Sequence, residues 1–398
     1  MDGNPVIEML GRRLRLGVIG GGPGSFIGAM HRTAARLDDR YELAAAAMSS
    51  DPDRSRAAAE QLGVPRAYGG GHDLLAGEAG HEAGADVVAI MTPNDTHHEY
   101  AMAALDLGFD VIADKPLTNT MAEARKVVDK VAETGLVFCL THNYTGYPMV
   151  RQARAMVAEG QLGELRLVQV EYVQGGKATE DDPDPSDGLP WRYDPVRGGP
   201  SLVMGDIGTH AHNLVRFITG LEVAEVAAEV GHIVPNRLVD DYAGALLRFD
   251  NGARGTFWVT QAAAGVENCL RIRVSGTRGS LEWMQEQPTA LTVKPIDGPV
   301  ELRTPNGPGT LPLAARASRI VAGHPEGFHE GFANLYSDAA EAIAARRSGR
   351  TADPLALHFP TAYDGALGVR FVEAAMTSSA ANGAWTDATY EEATDGTL

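Results

Sequence analysis

Lys115 and the pair Asp206 and His210 are the residues of this chain best suited to chemistry. Lys115 follows the apolar run Val111-Ile112-Ala113 and stands between Asp114 and Pro116. An amine just past the carboxyl end of a buried strand lies where open α/β sheets take their ligands. Pro116 restricts the backbone and removes a donor, so the direction of the lysine is set. Asp206 and His210 are four residues apart, and on a helix they share a face. An imidazole held by a carboxylate keeps a chosen tautomer and suits a proton acceptor. His212 lies off that face and reads as a packed histidine.

The elements that must position these groups are legible in the hydrophobic pattern. From Leu14 to Thr141 short apolar runs (Leu14–Ile19, Tyr41–Met48, Val87–Met91, Val111–Ala113, Leu136–Leu140) alternate with helical stretches. Continuous apolar strands alternating with helices predict a doubly wound parallel sheet, an α/β nucleotide-binding fold. The first run enters Gly20-Gly21-Gly22-Pro23-Gly24-Ser25-Phe26-Ile27-Gly28, and a helix follows. Glycines there let the backbone approach a pyrophosphate, whose charge the helix N-terminus meets. Gly22 and Gly28 are six apart, so Pro23, Gly24 and Ser25 read as an enlargement of the loop. Gly20, Gly22, Phe26, Ile27 and Gly28 are the expected cofactor contacts.

After the second run comes Ser49-Ser50-Asp51-Pro52-Asp53-Arg54. Ser49, Ser50 and Arg54 suit a 2′-phosphate, whereas Asp51 suits free ribose hydroxyls, so NAD and NADP both stay open. Thr92-Pro93-Asn94 follows the third run and is placed to line the nicotinamide or its ribose. His97 and His98 open the next helix, as polar caps or cofactor contacts, and Asp114 is counted with the cofactor site beside Lys115. No His or Cys cluster has metal-ligand spacing, and no metal is expected.

The second half differs. Helix-like stretches at Met149–Glu159 and Asp206–Thr219 are interspersed with strand candidates at Leu165–Tyr172, Val223–Val234, Tyr242–Phe249, Ala253–Thr260, Leu270–Val274 and Ser280–Met284. Short turns between consecutive strands predict an α+β domain with a large, mostly antiparallel sheet. Lys294–Pro312 reads as a loop, and two helices close the chain near Gly331–Arg346 and Ala362–Ala381. The domains are set at 1–141, binding nucleotide, and 142–398, binding substrate and mediating oligomerisation.

Bulk properties narrow the classes. With 398 residues, two domains are the natural prior. The formal charge of −18 (34 basic against 52 acidic residues) argues against nucleic acid or an anionic membrane as partner. No apolar stretch is long enough to span a bilayer, and no signal peptide is evident. Cys139 and Cys269 lie in apolar runs and read as small buried residues, which fits a reducing cytoplasm.

Lys115 within Asp-Lys-Pro, Thr92-Pro93-Asn94 with His97 three residues on, and Asp206-x-Gly-x-His210 occur in that order. With this set the chain resembles the glucose–fructose oxidoreductase / inositol dehydrogenase / MocA family, from about Leu14 to Trp385. The resemblance implies an NAD(P)-dependent oxidoreductase acting on a hydroxyl of a sugar, cyclitol or glycoside, with NAD slightly favoured. It implies that Lys115, Asp206 and His210 are catalytic, with His210 the proton acceptor. It further implies that Asn143, Tyr144, Trp191 and Arg192 border the substrate, and that the chain forms a homodimer or homotetramer. Three positions depart from the family pattern. Asp114 replaces the usual Glu, the glycine loop is enlarged, and Asn213 stands where many members have an acid. His324-Pro325-Glu326-Gly327 suggests a branch with its own pocket, for larger glycosides. Two other functions compete: a hydrolase or lyase that retains NAD and oxidises only transiently, and a non-catalytic NAD(P) sensor.

Overall fold

The computed structural model describes residues 3–179 and 182–390, which form two compact units. The first comprises residues up to Thr118, Ala122–Gln152 and Thr304–Gly365. Its sheet holds β1 (Leu14–Gly20), β2 (Tyr41–Ala47), β3 (Arg66–Ala67), β4 (Val87–Met91), β5 (Asp110–Ala113) and β6 (Phe138–Leu140). All pairings are parallel, in the order β3-β2-β1-β4-β5-β6. The five apolar runs are thus five of the six strands. The two-residue β3 is too short to carry a pattern. The helix Gly71–Ala79 was not expected, because Gly71 and Gly77 lower its intrinsic propensity.

The order of strands reverses between β1 and β4, so a crevice opens beyond their carboxyl ends, where such sheets bind ligands. Gly20 and Met91 are paired at that edge. One face of the sheet is covered by a helix from far along the chain, Phe328–Ser348. Every residue from Gly331 to Ala345 in it is buried. Such all-round burial marks an interior helix, and its many alanines let neighbours approach closely. A Cβ on Gly146 would overlap the Gly331 carbonyl, so this helix and the turn Asn143–Gly146 meet backbone to backbone. Its buried Asn334 donates to the carbonyls of Gly146 and Ala317, both at 2.8 Å. The compact unit therefore does not end after Thr141.

The second unit comprises Asn119–Met121, Ala153–Arg303 and the chain from Ala366 onward. Its strands are β7 (Leu165–Val173), β8 (Val223–Gly231), β9 (Tyr242–Phe249), β10 (Arg254–Thr260), β11 (Cys269–Gly276), β12 (Gly279–Met284), β13 (Leu291–Pro295), β14 (Glu301–Arg303) and β15 (Thr386–Asp387). They form one sheet in the order β14-β13-β12-β11-β7-β10-β9-β8-β15. Every pairing is antiparallel except β7 with β10. The segment Lys294–Pro312, expected as a loop, contains the end of β13 and all of β14. With one apolar residue in three, β14 shows no alternation to read.

One face of this sheet packs on helices: Phe257 of β10 meets Phe371, and His212 stacks on the same ring at 4.6 Å. The other face leaves Leu167, Leu246 and Trp258 exposed beside Arg271, Arg273 and Glu282. Among the described residues both cysteines are free, and no helix is long and apolar enough to cross a membrane.

Candidate active site

In the first unit the candidate residues gather at the carboxyl edge of the parallel sheet. Residues 22–25 close a turn in which Ser25 N–H donates to the Gly22 carbonyl at 3.0 Å. Pro23 in the second position and Gly24 at φ +84° in the third are what a type II turn requires. The apparent enlargement is therefore this turn, followed at once by the helix Phe26–Leu37. Ser25 caps that helix, its hydroxyl accepting from Gly28 N–H at 3.1 Å.

The tightest contact in the loop involves Gly21, which the motif spacing did not single out. A Cβ on Gly28 would overlap the Gly21 carbonyl oxygen, and one on Gly20 would lie 2.6 Å from the Met91 carbonyl oxygen. Arg32 donates to the Gly21 carbonyl and ties the helix back to the loop. Bare backbone next to a helix N-terminus is the cradle a dinucleotide pyrophosphate needs, so these residues fit the cofactor. Phe26 is exposed, Ile27 is half-buried, and the Phe26 ring lies 6.0 Å from that of Phe328.

At the end of β2, Asp51 caps the helix Pro52–Gln61 by accepting from Arg54 N–H at 2.8 Å. The Ser49 hydroxyl accepts from Asp51 N–H at 3.1 Å, while Ser50 and Arg54 are exposed. Beyond β4, Thr92, Pro93 and Asn94 are half-buried, and Asn94 opens a 3₁₀ turn. The Thr92 hydroxyl accepts from Thr96 at 2.7 Å.

Lys115 is half-buried next to this edge, and its peptide to Pro116 is cis. Asp114 holds the turn rather than standing open to a ligand. Its Oδ1 accepts from Lys115 N–H at 2.9 Å and from the Thr141 hydroxyl at 3.1 Å. His97 is 1% exposed, with Nδ1 2.8 Å from the Pro116 carbonyl and Nε2 2.9 Å from that of Thr92. Both ring nitrogens are engaged by backbone, so His97 staples the end of β4 to the Lys115 turn. Asn143 and Tyr144 follow β6 in a buried 3₁₀ turn. Tyr144 stacks on Tyr147 at 6.1 Å and meets Phe328 edge-on at 6.3 Å. The Asn143 amide nitrogen is buried with no hydrogen-bond partner among the described residues.

In the second unit Asp206 lies in a π-helical turn, Met204–Gly208, that runs directly into the helix Thr209–Thr219. Such turns are rare and recur at functional sites. Asp240 secures the start of this segment, accepting from Leu202 N–H at 2.8 Å and Val203 N–H at 3.0 Å. Burial pushes the Asp240 carboxyl upward, against those hydrogen bonds. His210 is 8% exposed, and the Tyr172 ring meets it edge-on at 6.3 Å.

Sequence reasoning missed the amides around this pair. Gln261 Nε2 donates to Asp206 Oδ2 at 2.9 Å and to Gln174 Oε1 at 3.1 Å. Gln174 Nε2 donates to Asn268 Oδ1 at 2.6 Å, which also accepts from the Tyr172 hydroxyl at 2.9 Å. No periodicity marks such residues; the place of Gln174 and Gln261 just past the ends of β7 and β10, and of Asn268 just before β11, was the available signal. Trp191 and Arg192 sit in a 3₁₀ turn, the guanidinium 4.2 Å over the indole. In the first unit, Glu326 accepts from Arg319 N–H at 3.0 Å, so its carboxylate holds the loop before the helix Phe328–Ser348. Asn213 is buried in the helix Thr209–Thr219.

Two family models match in sequence. Residues 14–142 match "Oxidoreductase family, NAD-binding Rossmann fold", and residues 150–282 match the "GFO/IDH/MocA C-terminal domain". The chain belongs to the Gfo/Idh/MocA oxidoreductase family. Among relatives, the uncharacterized oxidoreductase YfiI of Bacillus subtilis (strain 168) is 32% identical over 385 residues, 96% of this chain and 98% of that protein. An oxidoreductase structure from Sinorhizobium meliloti is 47% identical with TM-score 0.86, covering 94% of this chain and 100% of that one. An inositol dehydrogenase homolog from Azotobacter vinelandii, solved with NADH and myo-inositol, is 34% identical with TM-score 0.87, covering 95% and 98%. The chain is thus an oxidoreductase with an NAD-binding Rossmann sheet joined to a mostly antiparallel one.

Proposed function

We propose that this protein transfers a hydride between a nicotinamide cofactor and a secondary hydroxyl or ketone of a cyclitol, sugar or glycoside. The observation that carries the reading is the pinned Lys115 turn, held by Asp114, Thr141 and His97 at the sheet's carboxyl edge. A nicotinamide bound at this edge would supply or accept the hydride. Lys115 hydrogen-bonds the reacting oxygen, and its positive charge favours a developing alkoxide. His210 takes the hydroxyl proton, and Asp206 orients the imidazole. Asn143, Tyr144, Trp191 and Arg192 border the substrate. The bare backbone at Gly20, Gly21 and Gly28 receives the pyrophosphate, with Gly22, Phe26, Ile27, Thr92, Pro93 and Asn94 around it, while His97 acts by positioning.

NAD is the cofactor of this reading. Asp51 at the end of β2 suits ribose hydroxyls, and Arg54 lies 4.0 Å from that carboxylate. Residues 1–141 serve the cofactor and 142–398 the substrate, with the helix Phe328–Ser348 completing the first core. The enzyme works in the cytoplasm as a homodimer or homotetramer, assembled through the open face of β7, β9, β10 and β11. The exposed Leu167, Leu246 and Trp258 beside a charged ladder support that interface.

The test follows NADH absorbance with NAD or NADP against myo-inositol, other cyclitols, free sugars and glycosides. Lys115→Ala and His210→Ala are expected to lower kcat by about 10²–10⁴-fold while NADH binding stays within a few-fold. Unchanged turnover in either variant refutes its role. Product formed without added cofactor and without released NADH favours the NAD-retaining hydrolase or lyase instead.

A further inference from the structure

We propose that Gln261 is a positioning residue that holds the Asp206 carboxylate in its working orientation. The inference rests on the role given above to Asp206. Gln261 directly follows β10 and is 5% exposed. Its backbone is pinned on both sides: its N–H donates to the Asp241 carbonyl and its carbonyl accepts from Lys177 N–H, both at 2.9 Å.

The side chain has one workable orientation. Both amide protons are used, one on Asp206 and one on Gln174, while Oε1 is buried with no hydrogen-bond partner among the described residues. Turning the amide over would set Oε1 against two acceptors, the carboxylate and the Gln174 carbonyl oxygen, and strand both protons. The site therefore keeps the nitrogen toward Asp206 at the expense of an unsatisfied buried oxygen.

The next links carry the same polarity outward. Gln174 is itself oriented because its Nε2 must donate to Asn268 Oδ1, and Tyr172 donates to that same oxygen. The Tyr172 ring then packs on His210. Asp206 and His210, one helical turn apart, are thus tied together a second time by side chains from β7, from the segment before β11 and from the end of β10. Asp206 lies in the π-helical turn Met204–Gly208, and Gln261 reaches its carboxylate from the end of β10.

Hydrogen bonds to charged groups of this kind correspond to roughly 10- to 100-fold in a rate or equilibrium. The test compares Gln261→Met, which keeps the length and removes the donor, with Gln261→Glu, which keeps the shape and turns an oxygen to the carboxylate. Both are expected to lower kcat at least tenfold, Glu no less than Met, and in the Met variant substrate KM, NADH affinity and the unfolding midpoint stay near wild type. Near-wild-type kcat in either variant overturns the proposal. So does a parallel loss of kcat, KM, NADH affinity and midpoint in the Met variant, which marks a packing role. Asp206→Asn is run alongside: full turnover there removes the functional reading itself, whereas a dead Asp206→Asn with a silent Gln261→Met removes only this inference.

Discussion

Acid should loosen the cofactor-binding unit through His31, and the magnitude follows from its surroundings. His31 lies in the helix Phe26–Leu37 and is 1% exposed, with Nδ1 2.7 Å from the Tyr336 hydroxyl. The ring is boxed in by Phe332 at 4.9 Å and Tyr336 at 5.7 Å. Burial pushes the imidazole down from 6.5 to about 4, opposed by Asp114 and helped by Arg32 and His97. The folded state thus prefers the neutral ring more strongly than the unfolded chain does. That preference is fully present above pH 6.5 and is lost progressively as pH falls toward 4. Across that window, at about 1.4 kcal/mol per pH unit, the loss amounts to about 3 kcal/mol. His31→Gln keeps a partner for Tyr336 and removes the titration. Asp38 and Asp86, in which burial is outweighed by ion pairs to Arg319 and Arg12, also lose stability in acid, but equally in both proteins. Denaturant unfolding of both proteins at several pH values from 7 to 4 should show the wild-type advantage shrinking by about 3 kcal/mol. A gap that stays constant with pH would refute the argument.

Two further outcomes follow from contacts described above. Gly28→Ala forces a methyl into the Gly21 carbonyl, so NADH affinity should fall by roughly 10- to 100-fold with circular dichroism unchanged; wild-type affinity would show that the loop has room the geometry denies. Trp258→Glu places a charge on the open sheet face, so light scattering should report a smaller assembly, and an unchanged mass would move the interface elsewhere.

Much of the first unit was legible because its signals are local. Buried parallel strands are short unbroken apolar runs, and five of six were visible for that reason. Open sheets of this kind take ligands at their carboxyl ends, so Gly20, Thr92 and Lys115 could be named as candidates from position alone. The pairing of Asp206 with His210 was read from a spacing of four residues, and the structure sets them in a π-helical turn and the helix that continues from it. His97 shows the limit. Its place after Thr92-Pro93-Asn94 suggested a cofactor contact, but the ring turns inward to two carbonyl groups, and only coordinates reveal that direction.

Residue order by itself determined most of the strands and helices and which strand ends carry the candidate side chains, because hydrophobic period and turn chemistry act over a few residues. Tertiary structure alone decided the strand order, the one parallel pairing in the second sheet, β7 with β10, and the burial of the helix Phe328–Ser348 against a sheet formed by residues 14–140. It also decided that Gln261, fifty-five residues from Asp206, supplies a donor to that carboxylate. Contacts between segments so far apart depend on how packed faces meet and on which buried polar atoms must find partners, and neither leaves a periodic trace in the chain.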